Sequence, residues 1–181
     1  MATVLVPLAQ GCEELEAVTL IDLFRRAGIT VTVAGLEAGP VTASRGVVLL
    51  PDTTLEAILD QDFDLVVLPG GLGGAQRLEA DRRIAGLLNR MSEQGRYVAA
   101  ICAAPKVLAS AGLLQGREAT AYPGILDAQP DIRVSSAAVV HDGTFITSRG
   151  PGTAMDFALA LIEILCDRAK RDEVEQALQR A

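Results

Sequence analysis

Aromatic residues and histidine are scarce in this chain. It has no tryptophan, two tyrosines and four phenylalanines among 181 residues, so the interior must be filled by aliphatic side chains. His141 is the single histidine, and it stands beside Asp142 and Gly143, a pair typical of a hairpin turn. We therefore expect His141 to be exposed and without a catalytic role. The sequence offers no well-placed Cys–His pair, which argues against a papain-like hydrolase.

Basic residues, long apolar runs and cysteine clusters are missing as well. Sixteen basic residues face 23 acidic ones, and the net charge of −7 argues against binding nucleic acid through a basic patch. No apolar stretch is long enough to span a membrane, and the N-terminus lacks the basic region of a secretory signal. Cys12, Cys102 and Cys166 have neither metal-ligand nor redox-pair spacing. We expect a cytoplasmic protein with reduced thiols, no metal and no membrane partner.

Strand-like apolar runs alternate with helical patterns along the whole chain. The runs "TVLVPL", "TVTVAGL", "FDLVVLPGG" and "YVAAI" are nearly continuously apolar, as in parallel strands buried on both faces. Helices are predicted at "EELEAVTLIDLFRRAG", at "APKVLASAG" and at "AMDFALALIEILCDRA". No linker or repeat interrupts the pattern, which predicts one α/β domain over residues 1–181.

Shorter segments connect these elements. "TTLEAIL" predicts a short helix capped by Thr53 or Thr54, and "GPVTASRGVVLLPD" predicts two short strands around a turn at Ser44 to Gly46. "RVSSAAVVHDGTFITS" predicts a hairpin. "PGGLGGA" fails the glycine spacing of a dinucleotide fingerprint, so it predicts a loop whose free backbone N–H groups can bind an oxyanion.

Cys102 stands where the strand "YVAAI" passes into a helix. Ala100 and Ala104 flank it at the two positions where a nucleophile on a sharp strand-to-helix turn requires small residues. The positive end of the helix dipole would lower the pKa of such a thiol. The alternative is an inert buried cysteine, and the local pattern favours neither interpretation.

Glu16 is the second candidate because it shares a helix face with Leu20 and Leu23. A carboxyl facing the core is desolvated, which raises its pKa and lets it donate a hydrogen bond. The alternative is a residue that only complements the helix dipole, the interpretation that we also give to Glu13 and Glu14.

Several motifs together resemble the ThiJ/PfpI superfamily, in the branch that holds the parkinsonism-associated protein and bacterial YajL. These motifs are "GCEELEAV", "LFRRAGI", "VLPGGLGGAQ", "AAICAAP" and "TSRGPGTAMDFAL", and they span nearly the whole chain in the family order. The resemblance implies a homodimer with a flavodoxin-like three-layer α/β/α sandwich and a mainly parallel sheet, similar to the class I glutamine amidotransferases.

The resemblance also implies roles for individual residues. Cys102 matches the reactive cysteine, and Glu16 matches the protonated glutamate that hydrogen-bonds the thiolate. Gly71 and Ala103 match the residues whose backbone N–H groups form an oxyanion-type pocket. Two arginines match residues that lie near the reactive site across the dimer interface, and these are Arg26 and Arg45.

Two departures from the family pattern bear on the chemistry. Tyr122 stands where animal members carry a histidine, which argues against a mechanism with a histidine base, and we expect Tyr122 and Pro151 to line the pocket. Ala103 stands where the peptidase-like branch has a histidine, which argues against protease activity.

The resemblance implies a cofactor-independent enzyme. It would act on α-oxoaldehydes such as methylglyoxal, as a glyoxalase III, or on early glycation adducts, as a deglycase. A redox-responsive chaperone or sensor, in which Cys102 is oxidised to a sulfinic acid, is the alternative.

Overall fold

A seven-stranded sheet forms the centre of the computed structural model, which describes residues 1–180. The strands of the chain are β1 (Thr3–Leu8), β2 (Thr30–Gly35), β3 (Val41–Thr42), β4 (Val48–Leu49), β5 (Thr53–Thr54), β6 (Leu65–Leu68), β7 (Tyr97–Ile101), β8 (Glu118–Ala119), β9 (Arg133–Val134), β10 (Val139–Asp142) and β11 (Phe145–Ser148). The spatial order of the central sheet is β10-β11-β7-β6-β1-β2-β5. The pairs β3–β4 and β8–β9 form two small sheets of their own.

The central sheet is parallel except for the β10–β11 hairpin at its edge. All four residues of β6 are buried, as are four of the five residues of β7, which fits their continuously apolar sequences. A parallel sheet buried in this way needs helices on both faces.

Two groups of helices supply that cover. They are α1 (Glu14–Arg26), α2 (Leu72–Ala80), α3 (Arg82–Glu93), α4 (Pro105–Ser110), α5 (Ala154–Leu165) and α6 (Arg168–Ala177). Helix α5 packs against α1 and α6, whereas α2 packs against α3 and α4. The result is a flavodoxin-like α/β sandwich, as predicted. Within residues 1–180, no helix combines the length and the apolar character that crossing a membrane requires.

Two short segments differ from their predicted structure. Thr53 and Thr54 do not cap a helix but form β5, which pairs with Ala34 and Gly35 of β2. Threonine is β-branched and favours an extended backbone, and β5 takes the edge position of the sheet beside β2. The predicted helix that follows is reduced to a 3₁₀ turn over Glu56–Ile58.

The segment "PGGLGGA" is not a free loop, because α2 begins inside it at Leu72. Glycine is a poor helix former, but here it permits close packing. A Cβ atom on Gly74 would lie 2.7 Å from the Cα atom of Cys12. Tertiary packing therefore makes a helix of a sequence whose local propensity argues for a loop.

Candidate active site

Cys102 occupies a strained turn directly after β7. Its φ angle is +65°, which lies in the left-handed region that residues other than glycine seldom adopt. The Cys102 N–H donates to the carbonyl of Ser148 at 3.0 Å, and the Cys102 carbonyl accepts from the N–H of Tyr122 at 2.9 Å. Ala100 and Ala104 are both fully buried. The sharp strand-to-helix turn expected from these two alanines is present.

Glu16 lies in the first turn of α1, the helix that follows β1, and its side chain reaches the turn of Cys102. Its side chain is fully buried, and its Oε2 atom accepts a hydrogen bond of 2.7 Å from the backbone N–H of Gly70. Burial raises the pKa of its carboxyl from 4.5 to about 7, against the opposing effects of the Gly70 N–H and of a hydrogen bond to Cys102. Oε1 accepts no hydrogen bond, which leaves it free to carry a proton. Glu16 thus titrates near neutral pH.

Gly70 is the residue that allows Glu16 and Cys102 to meet. A Cβ atom at this position would lie 2.6 Å from the Cβ atom of Cys102 and 2.6 Å from Oε2 of Glu16. Both distances are too short for any side chain, and a further 2.9 Å approach to the carbonyl of Ile101 closes the remaining space. Only glycine fits between the acid and the thiol.

Two backbone N–H groups point at the sulfur of Cys102, and they belong to Gly71 and Ala103. Gly71 has a φ angle of +84°, and a Cβ atom there would lie 2.5 Å from the backbone nitrogen of Glu13. Glycine is therefore needed for both the turn and the close approach. The structure brings together Cys102, Glu16, Gly71 and Ala103, the four residues predicted to form the centre of the site.

The pKa of Cys102 differs from the expectation. Burial raises it to about 12, and the charge of Glu16 adds to the rise, while the N–H groups of Gly71 and Ala103 act in the opposite direction. The predicted lowering by a helix dipole is wrong for the isolated chain. Helix α4 begins three residues later, at Pro105, and has only six residues, so its dipole is weak and distant. The causes of the shift include no cation beside the sulfur.

Glu14 has a function that the sequence did not indicate. It is 9 % exposed, and its two oxygens accept hydrogen bonds from the backbone N–H groups of Arg45 (2.9 Å) and Val47 (3.4 Å) and from the hydroxyl of Ser44 (3.0 Å). Burial opposes its charge, but these donors and its own N–H together hold the pKa of its carboxyl below the ordinary value. Glu14 therefore fixes the β3–β4 turn to α1 and is more than a helix-dipole residue. Its helical position gave no signal of these distant partners.

Comparison with known proteins places this arrangement in a family. The model of the DJ-1/PfpI family matches residues 2–164. The chain belongs to the DJ-1/PfpI family.

Three relatives illustrate the match. Protein dj-1beta of Drosophila melanogaster is 46% identical over 180 residues, which cover 96% of this chain and 95% of the relative. Deglycase PH1704 of Pyrococcus horikoshii is 32% identical over 164 residues, covering 90% of this chain and 98% of the relative. The solved structure of oxidized Toxoplasma gondii DJ-1 has a TM-score of 0.97 and 39% identity, and each chain is covered completely.

The other predicted site residues lie at the surface. Arg26 is half exposed and pairs with Asp22 of its own helix at 2.7 Å, and Arg45 lies exposed at the β3–β4 turn. Neither arginine contributes to the pKa of Cys102 within one chain. Their predicted position near the reactive site of a partner subunit remains a prediction.

Tyr122 and Pro151 line one groove, and the Tyr122 side chain is exposed. Their predicted place in the pocket of the reactive cysteine stays a prediction. Tyr122 is linked to Cys102 only through its backbone N–H.

His141 is exposed, as predicted, and its Nε2 atom lies 2.8 Å from the carbonyl oxygen of Gly143. The hairpin turns at Gly143 and Thr144, one residue after the predicted turn at Asp142 and Gly143.

Proposed function

We propose that this protein is a cysteine-dependent enzyme acting on α-oxoaldehydes such as methylglyoxal, or on early glycation adducts, without a cofactor. The observation that carries the proposal is the contact between Cys102 on its strained turn and the buried carboxyl of Glu16, whose pKa is about 7. A carboxyl with that pKa can give and take protons at neutral pH, as general acid–base catalysis requires.

The first step is addition of the Cys102 thiolate to the aldehyde carbon. The carbon–sulfur bond forms, and the carbonyl electron pair moves to the oxygen, where the N–H groups of Gly71 and Ala103 stabilise it. The proton of Glu16 neutralises this oxygen and gives a hemithioacetal.

The second step moves a hydrogen between neighbouring carbons. The Glu16 carboxylate removes the proton from the former aldehyde carbon, and the resulting enediol is protonated at the adjacent carbon, which gives a thioester. Water hydrolyses the thioester, releases a 2-hydroxy acid and restores the thiol. One carbon is oxidised and its neighbour reduced, so no external oxidant or reductant is needed.

The same centre would support deglycase chemistry. In that reaction the methylglyoxal carbon skeleton arrives already bound to a protein thiol or amine. The bond from carbon to that group breaks as the bond to the Cys102 sulfur forms, and Glu16 gives its proton to the leaving thiol or amine. The relative from Pyrococcus horikoshii that bears the name deglycase supports this version.

We also propose that two copies associate through α1 and the β3–β4 hairpin. Leu15 and Val18 of α1 are exposed, as are Val48 (61 %) and Leu50 (80 %) of the hairpin. Val18 and Leu50 border one groove, and exposed apolar residues grouped in this way are typical of an interface. This association would bring Arg26 and Arg45 of the partner toward Cys102 and supply a cation that acts on the sulfur, which the isolated chain lacks.

Light scattering tests the association. We expect twice the 19.0 kDa mass of one chain, and we expect Leu50→Lys to reduce it to the single mass. Val134→Lys is the matched control, because Val134 is 54 % exposed but lies on a different sheet. A mass of 19.0 kDa for the unmodified protein at micromolar concentration would contradict the dimer.

Methylglyoxal turnover by the purified protein tests the enzymatic proposal. We expect formation of lactate that Cys102→Ser abolishes. Cys166→Ser is the matched control, because Cys166 is exposed and makes no contact with the site. Absence of turnover in the unmodified protein, or turnover that survives Cys102→Ser, would contradict the proposal.

A redox-responsive chaperone or sensor is the second candidate. The similarity to an oxidized DJ-1 structure favours it. A peroxide would oxidise the Cys102 thiolate to the sulfenic and then the sulfinic acid, while each peroxide molecule is reduced to water. Glu16 and the N–H groups of Gly71 and Ala103 would hold the added oxygens. Mass spectrometry after limited peroxide treatment should find two oxygen atoms on Cys102, and none on Cys12 under the same conditions.

A further inference from the structure

A groove that borders the turn of the reactive cysteine is lined by one arginine, Arg149. It is lined by Tyr122, Pro123, Arg149, Pro151 and Thr153, together with Gly150 and Gly152. Both walls are tied to the backbone of Cys102. The Tyr122 N–H donates to the Cys102 carbonyl at 2.9 Å, and the Cys102 N–H donates to the carbonyl of Ser148, the residue before Arg149. The groove therefore adjoins the backbone of the Cys102 turn.

Arg149 has no acidic partner within residues 1–180. Its guanidinium donates a single hydrogen bond, of 3.3 Å, to the carbonyl of Ser136, and it takes part in no ion pair. This differs from other arginines of this acidic chain, such as Arg83 and Arg117, which bind carboxylates. No carboxylate lines the groove that Arg149 shares with Pro151. Asp127 lines the adjoining groove, to which Arg149 also contributes, and it forms no ion pair with Arg149 either.

We propose that Arg149 binds the anionic end of the substrate whose aldehyde reacts with Cys102, so that the substrates are α-oxoaldehydes bearing a carboxylate or a phosphate. This inference rests on the proposed function, because it names the substrate class of that same site. The planar guanidinium presents paired N–H donors that match the oxygens of either anion. The ring of Tyr122 and the side chain of Pro151 supply an apolar wall for the carbon chain between the two ends.

The rival explanation is structural: Arg149 would only hold the loop at Ser136. The two explanations are separated by comparing iodoacetate with iodoacetamide as alkylating agents of Cys102. The reagents have the same leaving group and nearly the same size, but only iodoacetate is an anion. Both react with the same thiolate, so the ratio of their rate constants is independent of the fraction of thiolate and of any turnover.

The experiment measures both rate constants at neutral pH by mass spectrometry of the intact protein. The variants are Arg149→Gln, Arg149→Lys and the matched control Arg82→Gln, which removes an equal charge from an exposed residue of α3. We expect Arg149→Gln to lower the iodoacetate-to-iodoacetamide ratio about fivefold, the effect of one charge pair in a solvated groove. Arg149→Lys should retain most of the ratio, and Arg82→Gln should leave it unchanged. An unchanged ratio in Arg149→Gln, or an equal fall in Arg82→Gln, would overturn the inference.

Added anions identify the group that Arg149 prefers. Acetate and inorganic phosphate at equal ionic strength should slow alkylation by iodoacetate in the unmodified protein but not in Arg149→Gln. Stronger protection by acetate indicates a carboxylate end, and stronger protection by phosphate indicates a phosphorylated one. Protection by neither anion would overturn the inference. A protein that shows the charge preference but no methylglyoxal turnover would contradict the proposed function and leave the anion site in place.

Discussion

Glu14 and Glu16 are two buried carboxyls on the first turn of one helix, and their pKa values shift in opposite directions. Glu14 accepts hydrogen bonds from three groups of the β3–β4 turn, and its pKa falls below the ordinary value. Glu16 accepts one backbone N–H, from Gly70, and its pKa rises to about 7. The helix is common to both, so its dipole does not explain the difference. The two carboxyls differ in how deeply they are buried and in how many hydrogen-bond donors they have, because Glu16 is the more deeply buried and has fewer donors.

The comparison separates a structural carboxylate from a chemical one. Glu14 remains charged at all ordinary pH values and fixes a loop to α1. Glu16 is neutral or charged according to small changes in pH, and it lies beside a thiol. A buried carboxyl with few hydrogen-bond donors has a raised pKa, which makes it a candidate for proton transfer.

The largest expected effect is on turnover. Glu16→Gln should lower the rate of methylglyoxal conversion by about 100-fold or more, because an amide donates a hydrogen bond but does not transfer a proton. Glu14→Gln should stay within about threefold of the unmodified protein, since the acid–base group is intact. The rates are measured by lactate formation. Equal losses in the two variants would contradict the distinction between the two carboxyls.

The next effect is on stability, and it depends on pH. The pKa of Glu16 is about 7 in the folded chain and near 4.5 in the unfolded one, so the folded state binds this proton more tightly. The contribution of Glu16 to the free energy of unfolding is therefore complete below pH 4.5 and is lost as the pH rises through 7. The difference between a pKa of 4.5 and one of about 7 corresponds to roughly 3 kcal/mol.

Urea unfolding at pH 5 and pH 8 measures this contribution. Relative to the unmodified protein, the free energy of unfolding of Glu16→Gln should rise between the two pH values by most of this roughly 3 kcal/mol, since its amide does not ionise. A difference that does not vary between pH 5 and pH 8 would show that Glu16 keeps one protonation state throughout.

The parallel central strands and the reactive turn were within reach of the sequence, whereas the spatial order of the strands was not predicted. Continuous apolar runs mark parallel strands, and the flanking alanines mark the turn at Cys102, because both patterns reflect local steric requirements. Helix α2 and strand β5 were not predictable, since packing against Cys12 and pairing with β2 outweighed local propensity.

The site was predictable in composition but not in electrostatics. Cys102, Glu16, Gly71 and Ala103 were identified from motifs, whereas the direction of the Cys102 pKa depends on how completely the sulfur is buried. The partners of Glu14 lie about 30 residues away in the chain, and no periodic pattern indicates a contact of that kind.

A smaller effect tests Glu14 itself. Its pKa is lowered in the folded chain, so its contribution to stability is present above pH 4.5 and is lost only as the pH falls below that value. Glu14→Gln should cost about 1 to 3 kcal/mol, because donors of the β3–β4 turn lose a charged acceptor. The cost should be the same at pH 5 and pH 8, in contrast to Glu16→Gln. A cost that varies between these two pH values would mean that Glu14 also titrates there.

The smallest effect concerns the reactivity of Cys102 with a neutral reagent, and it tests whether the two groups titrate as a pair. The pair binds two protons at low pH, loses the first near pH 7 and loses the second near pH 12. Between these values one proton is shared, and the fraction of time that it spends on Glu16 leaves Cys102 as a thiolate. The rate of alkylation by iodoacetamide should therefore rise about tenfold between pH 6 and pH 8 and then level off. In Glu16→Gln the thiol titrates alone with a pKa that burial keeps high, so the rate should continue to rise above pH 8. Identical pH profiles for the two proteins would show that Cys102 ionises independently of Glu16. That result would contradict the sharing of one proton between the two groups.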